Sequence, residues 1–350
     1  MMVPFFKPPV GEEEAQAVAE TVRSGWLTFG KKVEEFEAEF AKYINAPYCV
    51  MVDNCTAALF LAFEYSFQDT PRDQRNKYSI GVPSFTCAAT ALAPLHAGLK
   101  IKFIDLEEGD SFLMKEHLGF SVPVAYAGKY RQHQRTIVED FAHRIERKCF
   151  TGSIQAYSFY VTKNLTTGEG GMIACSSKKE SDWFKKARLY GNANAVYERS
   201  KMYSTGDSFW WFESEFQGWK ANPTDIAASI GLVQLKKLDA LNADRKRIAE
   251  RYNEAFDLST DRAPWHLYPI LVNNRDKFMF YMKDNGVACS VHFPPLHMMK
   301  AFSEFKTSLP NTEYVYERIV SLPLYPYMTE EEQEYVIRLT LDWFKNNGRV

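Results

Sequence analysis

The stretch Ser158-Phe159-Tyr160-Val161-Thr162-Lys163-Asn164-Leu165-Thr166-Thr167-Gly168-Glu169-Gly170-Gly171 sets one lysine among hydroxyls, between a strand and a second apolar run, Met172-Ile173-Ala174-Cys175. An amine held between buried strands loses hydration, so its pKa falls and it becomes a nucleophile able to form an imine with an aldehyde. The flanking glycines let the backbone come close to something flat or bulky. Upstream, Thr136-Ile137-Val138-Glu139-Asp140 is an apolar strand ending in carboxylates, followed by Phe141-Ala142-His143. A carboxylate at the carboxyl end of a buried strand lies where open α/β sheets present ligand-binding groups. Alone, Asp140 serves equally well as a helix N-cap. With Lys163 downstream the pair suits pyridoxal 5'-phosphate: the lysine carries the cofactor as a Schiff base, and the carboxylate keeps the pyridine nitrogen protonated so that the ring accepts electrons.

The elements around this pair read as alternating strands and helices. Tyr48-Cys49-Val50-Met51-Val52 is a short buried strand, and the turn Asp53-Asn54-Cys55-Thr56-Ala57 opens a helix. Free backbone N–H groups and the Thr56 hydroxyl make that helix start a phosphate site; simple N-capping by Asn54 or Thr56 explains the same residues equally well. Strands follow at Tyr78–Val82, Ile101–Asp105 and Ser121–Tyr126, with Pro83-Ser84-Phe85-Thr86-Cys87 leading into another helix. The alternation predicts a mostly parallel sheet covered on both faces. Lys178 to Tyr190 and Gln234 to Phe256 read as helices, and Asn192 to Trp219 as an irregular aromatic segment suited to an interface or a substrate mouth. Beyond it, Trp265–Val272 and Val287–Phe293 read as two strands of a small α+β unit.

The lysine string, spaced after Glu139-Asp140 and combined with Trp26-Leu27-Thr28-Phe29-Gly30 and Ser321-Leu322-Pro323-Leu324, resembles the DegT/DnrJ/EryC1/StrS family of sugar aminotransferases over nearly the whole chain. The resemblance implies an α/β, fold-type I aminotransferase: a large domain, residues 1–245, with a mostly parallel sheet sandwiched by helices, plus a small C-terminal α+β domain, residues 246–350. It implies transfer of an amino group from glutamate to a nucleotide-linked keto-sugar, at C4 with C3 as the runner-up, through pyridoxal phosphate and its pyridoxamine phosphate form. By the same resemblance Thr56 and Ala57 hold the cofactor phosphate together with Ser158, Phe85 stacks on the pyridine ring, and His143 lies near the ring oxygen and the reacting carbon. Asn222 reaches the phosphate in the neighbouring subunit of a homodimer, with Lys220 nearby. This chain departs from the pattern at Cys55, where glycine is usual, at Pro223, and in the shortened segment between His143 and Ser158. Lys163 separates it from relatives that are dehydratases, which carry histidine there. A non-catalytic, cofactor-binding regulator is the alternative class.

Composition excludes other partners. Hydrophobic residues make 46% of the chain and charged ones 25%, a globular balance, and a net charge of -2 gives no reason to expect nucleic acid or an acidic membrane. None of the six cysteines forms a CxxC pair, which suits free thiols in a reducing compartment. His292 and His297 lack helical metal-ligand spacing, so no metal is expected. The proline-broken start is unlike a signal peptide and no run approaches the roughly 18 apolar residues of a membrane span, so a cytoplasmic enzyme is expected.

Overall fold

The computed structural model describes residues 1–109, 112–192, 213–258 and 264–349. Two helices come first, α1 (Glu12–Arg23) and α2 (Lys31–Ile44). Val33, Phe36, Phe40, Ala41 and Ile44 recur at helical spacing and are the buried stripe of α2, which stops at Asn45 in the left-handed conformation (φ 62°).

The sheet is then laid down as β1 (Tyr48–Val52), β2 (Ser79–Pro83), β3 (Lys100–Ile104), β4 (Val138–Asp140), β5 (Ile154–Ser158) and β6 (Gly171–Cys175). Helices α3 (Cys55–Ser66) and α4 (Ala88–His96) leave β1 and β2, and α5 (Lys178–Ala187) follows β6. Strands β1, β6, β5 and β4 pair in that order, and β2 pairs in parallel with β3. Parallel bridges Val124–Asp140, Ser121–Thr136 and Gly81–Ser121 link the two groups into one surface. Within this sheet, strand β6 is antiparallel to both of its neighbours while the other pairings are parallel, so it is the reversed strand among the described strands β1 to β6. The sheet is thus mostly parallel, as the alternation predicts.

Both faces are covered. Val50 and Val52 point into a cluster with Ala58, Leu61 and Ala62 of α3 and Ala91 of α4. Cys49 and Met51, alternating with them, point into a cluster with Phe36 and Phe40 of α2 and with Leu232, Leu235 and Leu238 of the long helix α6 (Asp225–Phe256). A strand buried on both faces has no polar register, which is why β1 and β6 are continuous apolar runs, while β5 buries Gln155 among its apolar residues. Close packing of α2 on α6 depends on Gly231, where a Cβ would stand 2.7 Å from the Phe36 ring.

Helix α6 begins nine residues earlier than Gln234, at Asp225, capped by Thr224 Oγ1 accepting from the Ala227 N–H at 3.1 Å. Its far end, from Ile248 to Phe256, joins a separate core with β7 (Tyr268–Leu271), β8 (Ile319–Leu322) and the helices α7 (Arg275–Asp284) and α9 (Glu330–Asn347); the short α8 (Pro310–Tyr316) precedes β8. Two expected strands are reduced. Ser121–Tyr126 makes only isolated bridges at Ser121 and Val124, because Pro123 between them has no N–H to donate. Val287–Phe293 likewise bridges only at Val287 and Ser290, and the antiparallel partner of β7 is β8.

At the start of β6 the chain passes against the turn that opens α3: a Cβ on Gly171 would lie 2.5 Å from the Asn54 carbonyl carbon and 2.7 Å from the Cys55 nitrogen. Neither atom belongs to a flexible side chain. Gly171→Ala is expected to lower stability by about 1–3 kcal/mol, seen as a lower midpoint in thermal melts; an unchanged midpoint would show that the turn yields freely.

Candidate active site

Several chain segments converge at one end of the sheet. Asp140 closes β4, Ser158 closes β5, and the turn after β1 carries Asn54, Cys55 and Thr56; the loop from β5 to β6 supplies Lys163, Glu169 and Gly170. These residues line a cavity of about 480 Å³ whose other walls include Thr86, Cys87, Ala142, His143, His266 and His292. The position beyond the carboxyl ends of parallel strands follows from topology: chain leaving those ends turns back over the helices, and its turn residues face a shared crevice.

The loop bearing Lys163 is held at its neck. The Phe159 N–H donates to the Gly170 carbonyl (2.9 Å), and the Thr167 N–H and Thr166 hydroxyl both donate to the Phe159 carbonyl (3.0 and 3.2 Å). From α6, the buried Arg245 donates to Asn242 Oδ1 (3.2 Å) and reaches the Lys163 carbonyl at 3.5 Å. Burial holds the Lys163 amine below the ordinary lysine range, and the nearby Asp140 charge opposes that shift. Asp140 is 3% exposed; one oxygen accepts from the Thr90 hydroxyl (2.8 Å) and the other from the Ala142 N–H (3.1 Å). Burial raises its pKa, while Thr90, Ala142 and Lys163 stabilise the anion.

His143 is buried beside this pair. Its Nδ1 accepts from the Ala127 N–H at 3.4 Å, so the neutral ring carries its proton on Nε2. The His143 and His266 rings lie 4.4 Å apart. Burial, reinforced by the Lys163 charge and a neighbouring histidine, holds both rings well below the usual histidine pKa. His292 stacks on Phe5 at 5.4 Å, shares a hydrogen bond with Ser321 Oγ (3.1 Å), and has its pKa pushed down to about 4 by burial and by Lys163. His297 is engaged elsewhere, with Ser84 Oγ at 2.7 Å.

Of the residues singled out in the sequence, the cavity brings together Thr56, Asp140, His143, Ser158 and Lys163. Ala57 lies just behind: its N–H donates to Asn54 Oδ1 at 2.8 Å, so Asn54 is the cap of α3, and Ala57 borders a neighbouring groove with Phe60 and Trp219. Phe85 lies behind the cavity wall. It is 1% exposed and packs on Tyr126 and Phe112, with ring centroids 5.2 and 6.5 Å away, because the turn after β2 sends this ring into the core and Thr86 and Cys87 into the cavity. Asn222 stands outside the cavity, in a groove with Phe29, Glu37 and Arg188, and accepts a hydrogen bond from Lys220. Most of the Asn192–Trp219 segment lies outside the described residues.

Sequence reasoning missed Thr90 and His266 as parts of the site. Thr90 carried no signal, being one threonine within an apolar helix. For His266 the signal was a lone polar residue between Trp265 and Leu267, whose side chains are buried in apolar clusters while the imidazole lines the cavity.

The residues fit the cofactor read from the sequence. The cavity joins an amine, a buried carboxylate, and the N-terminus of the twelve-residue α3 with the Thr56 and Ser158 hydroxyls, which are the groups an aldehyde, a pyridine nitrogen and a phosphate would each require. Its volume lies within the range of small-molecule sites.

A family model for the DegT/DnrJ/EryC1/StrS aminotransferase family matches residues 8–119 and 130–340, and the chain belongs to that family. It is 34% identical to the spore coat polysaccharide biosynthesis protein SpsC of Bacillus subtilis, over 98% of this chain and 97% of that protein. It is also 34% identical to the uncharacterized protein MJ1066 of Methanocaldococcus jannaschii, over 94% of each. Among solved structures, the putative sugar aminotransferase Spr1654 of Streptococcus pneumoniae in its PMP-form superposes with a TM-score of 0.87 at 23% identity, covering 98% of this chain and 99% of that one. The fold is therefore that of the sugar aminotransferases, an α/β arrangement. No described helix is long and apolar enough to cross a membrane.

The buried histidines predict a sign for the pH dependence of stability. A histidine with a depressed native pKa stays neutral when folded and takes up a proton when unfolded, so stability falls as pH drops below the ordinary value of 6.5 and continues falling toward about 4 for His292. Thermal midpoints of the cofactor-free protein should decline through that window, and His292→Gln should make the decline shallower. An equal slope in the variant would assign the effect to other groups.

Proposed function

We propose that the protein is a pyridoxal-phosphate-dependent aminotransferase that moves an amino group from glutamate to C4 of a nucleotide-linked keto-sugar, giving an amino-sugar for glycan or polysaccharide synthesis. The observation that carries the reading is the joint presence of the Lys163 amine and the buried Asp140 carboxylate in one cavity at the carboxyl ends of the strands. Membership in an aminotransferase family and the likeness to SpsC support it.

When bound, pyridoxal phosphate would supply an electrophilic aldehyde and a ring able to delocalise the electrons of a carbon that loses a proton. The chain supplies the rest. Lys163, its pKa lowered by burial, would hold the aldehyde and, once displaced by the donor, move a proton at the reacting carbon. Asp140, whose anion accepts hydrogen bonds from Thr90 and Ala142, would face the ring nitrogen and hold its proton. Thr56, Ser158 and the N-terminus of α3 would bind the phosphate. His143, neutral and protonated on Nε2, can donate a hydrogen bond within the cavity, and the preference for C4 over C3 rests on the family resemblance at this position. The open groove beyond Thr56, bordered by Asn54, Phe60 and Trp219, supports a bulky acceptor entering from that side.

The same reading includes a homodimer in which Asn222 reaches the neighbouring cofactor phosphate, a division into residues 1–245 and 246–350 that cuts α6, and a cytoplasmic setting, which six free cysteines suit. Incubation with glutamate and a panel of nucleotide-linked 3-keto and 4-keto sugars, followed by mass and NMR analysis of the product, tests the reaction and its position. Lys163→Ala should reduce turnover by at least about 10³-fold and leave circular dichroism unchanged. Borohydride reduction followed by peptide mapping should find the cofactor on Lys163 in the parent protein; attachment to another lysine would overturn the assignment.

A further inference from the structure

The turn between β2 and α4 presents a thiol to the cavity where an aromatic ring is expected. Phe85 is turned into the core against Tyr126 and Phe112, and the side chains this turn contributes to the wall are Thr86 and Cys87. Cys87 is exposed although it borders a site whose reacting groups are buried. It sits at the N-cap of α4, one turn before Thr90, whose hydroxyl holds Asp140. Cys87, Lys163 and Asp140 line the same cavity. The same cavity holds His266, 6% exposed, whose Nδ1 has no hydrogen-bond partner among the described residues, an independent mark of a space shaped for a polar ligand.

We propose that Cys87 is the side chain this turn lays against the cofactor ring, so that bound pyridoxal phosphate shields a thiol which is open to electrophiles in its absence. The polarizable sulfur contributes a contact with the ring, smaller than aromatic stacking and with the added property that it can be alkylated. Attack by iodoacetamide forms a bond between Cys87 Sγ and the reagent's carbon, iodide leaves with the bonding electrons, and the thiol proton goes to solvent. The carbamidomethyl group then occupies the space of the ring, and modification and cofactor binding exclude each other.

This proposal rests on the cofactor reading, and two readouts on the same sample keep them apart. Protein freed of cofactor and protein reloaded with pyridoxal phosphate are each treated with iodoacetamide, and the labelling of every cysteine is followed by peptide mass spectrometry, while borohydride reduction reports attachment to Lys163. Cys87 should label at least about tenfold faster without the cofactor, with the buried Cys49 and Cys175 slow in both samples. Protein first alkylated at Cys87 should fail to take up pyridoxal phosphate, and Cys87→Ala should take it up even after iodoacetamide. Equal labelling of Cys87 in both samples, with the cofactor attached to Lys163, overturns the proposal and leaves the proposed function standing. Failure of any cofactor to attach overturns both.

Discussion

The structure turns on one unfavourable act, the withdrawal of a lysine amine and an aspartate carboxylate from water into the same cavity. Each group alone would be driven toward its neutral form by desolvation, and burial shifts Lys163 down and Asp140 up. Their mutual attraction, the Thr90 hydroxyl and the Ala142 N–H recover part of that cost. What remains is an amine whose pKa burial lowers and a carboxylate whose pKa burial raises, side by side in one cavity. A protonated pyridine ring would give that carboxylate a cationic partner. The site is thus tuned to something it must bind.

The surrounding fold holds that arrangement in place. A sheet covered on both faces fixes Asp140 and Ser158 at strand ends, and α2 and α6 press on one side while α3 and α4 press on the other. Helix α6 spans two cores: its first half packs beneath the sheet and its second half on β7 and β8, and between them Arg245 touches the carbonyl of Lys163 itself. The histidines of the opposite wall come from two further segments, around His266 and His292, so the cavity closes only where the C-terminal part of the chain folds back over the strand ends. Val3 bridging to Val287 ties the N-terminus into that same part.

Much of this was legible in the sequence because it depends on local rules. A double-sided sheet writes itself as continuous apolar runs, a reversed or closely approached strand calls for glycine, and an amine in such surroundings has few uses besides chemistry. Gly171 shows the agreement well, since its missing side chain is what allows β6 to pass the turn that opens α3. Element ends were less legible. Pro123 leaves a strand-like run with isolated bridges at Ser121 and Val124 alone, and α6 takes in Asp225–Val233 because Thr224 caps it well before the strongly periodic part.

The sequence by itself determined the alternation of strands and helices, the family, and the pairing of Lys163 with Asp140, since each rests on residue types at fixed short spacing. Only the tertiary structure decided which side chains of the irregular turns look into the cavity. Phe85 and Cys87 sit two residues apart in a turn with no period to orient them, and their directions are set by Tyr126 and Phe112, which arrive from later in the chain. The same holds for Thr90 beneath Asp140 and for His266 beside His143: contacts between residues far apart in sequence form only when the whole core closes, and no local pattern encodes them.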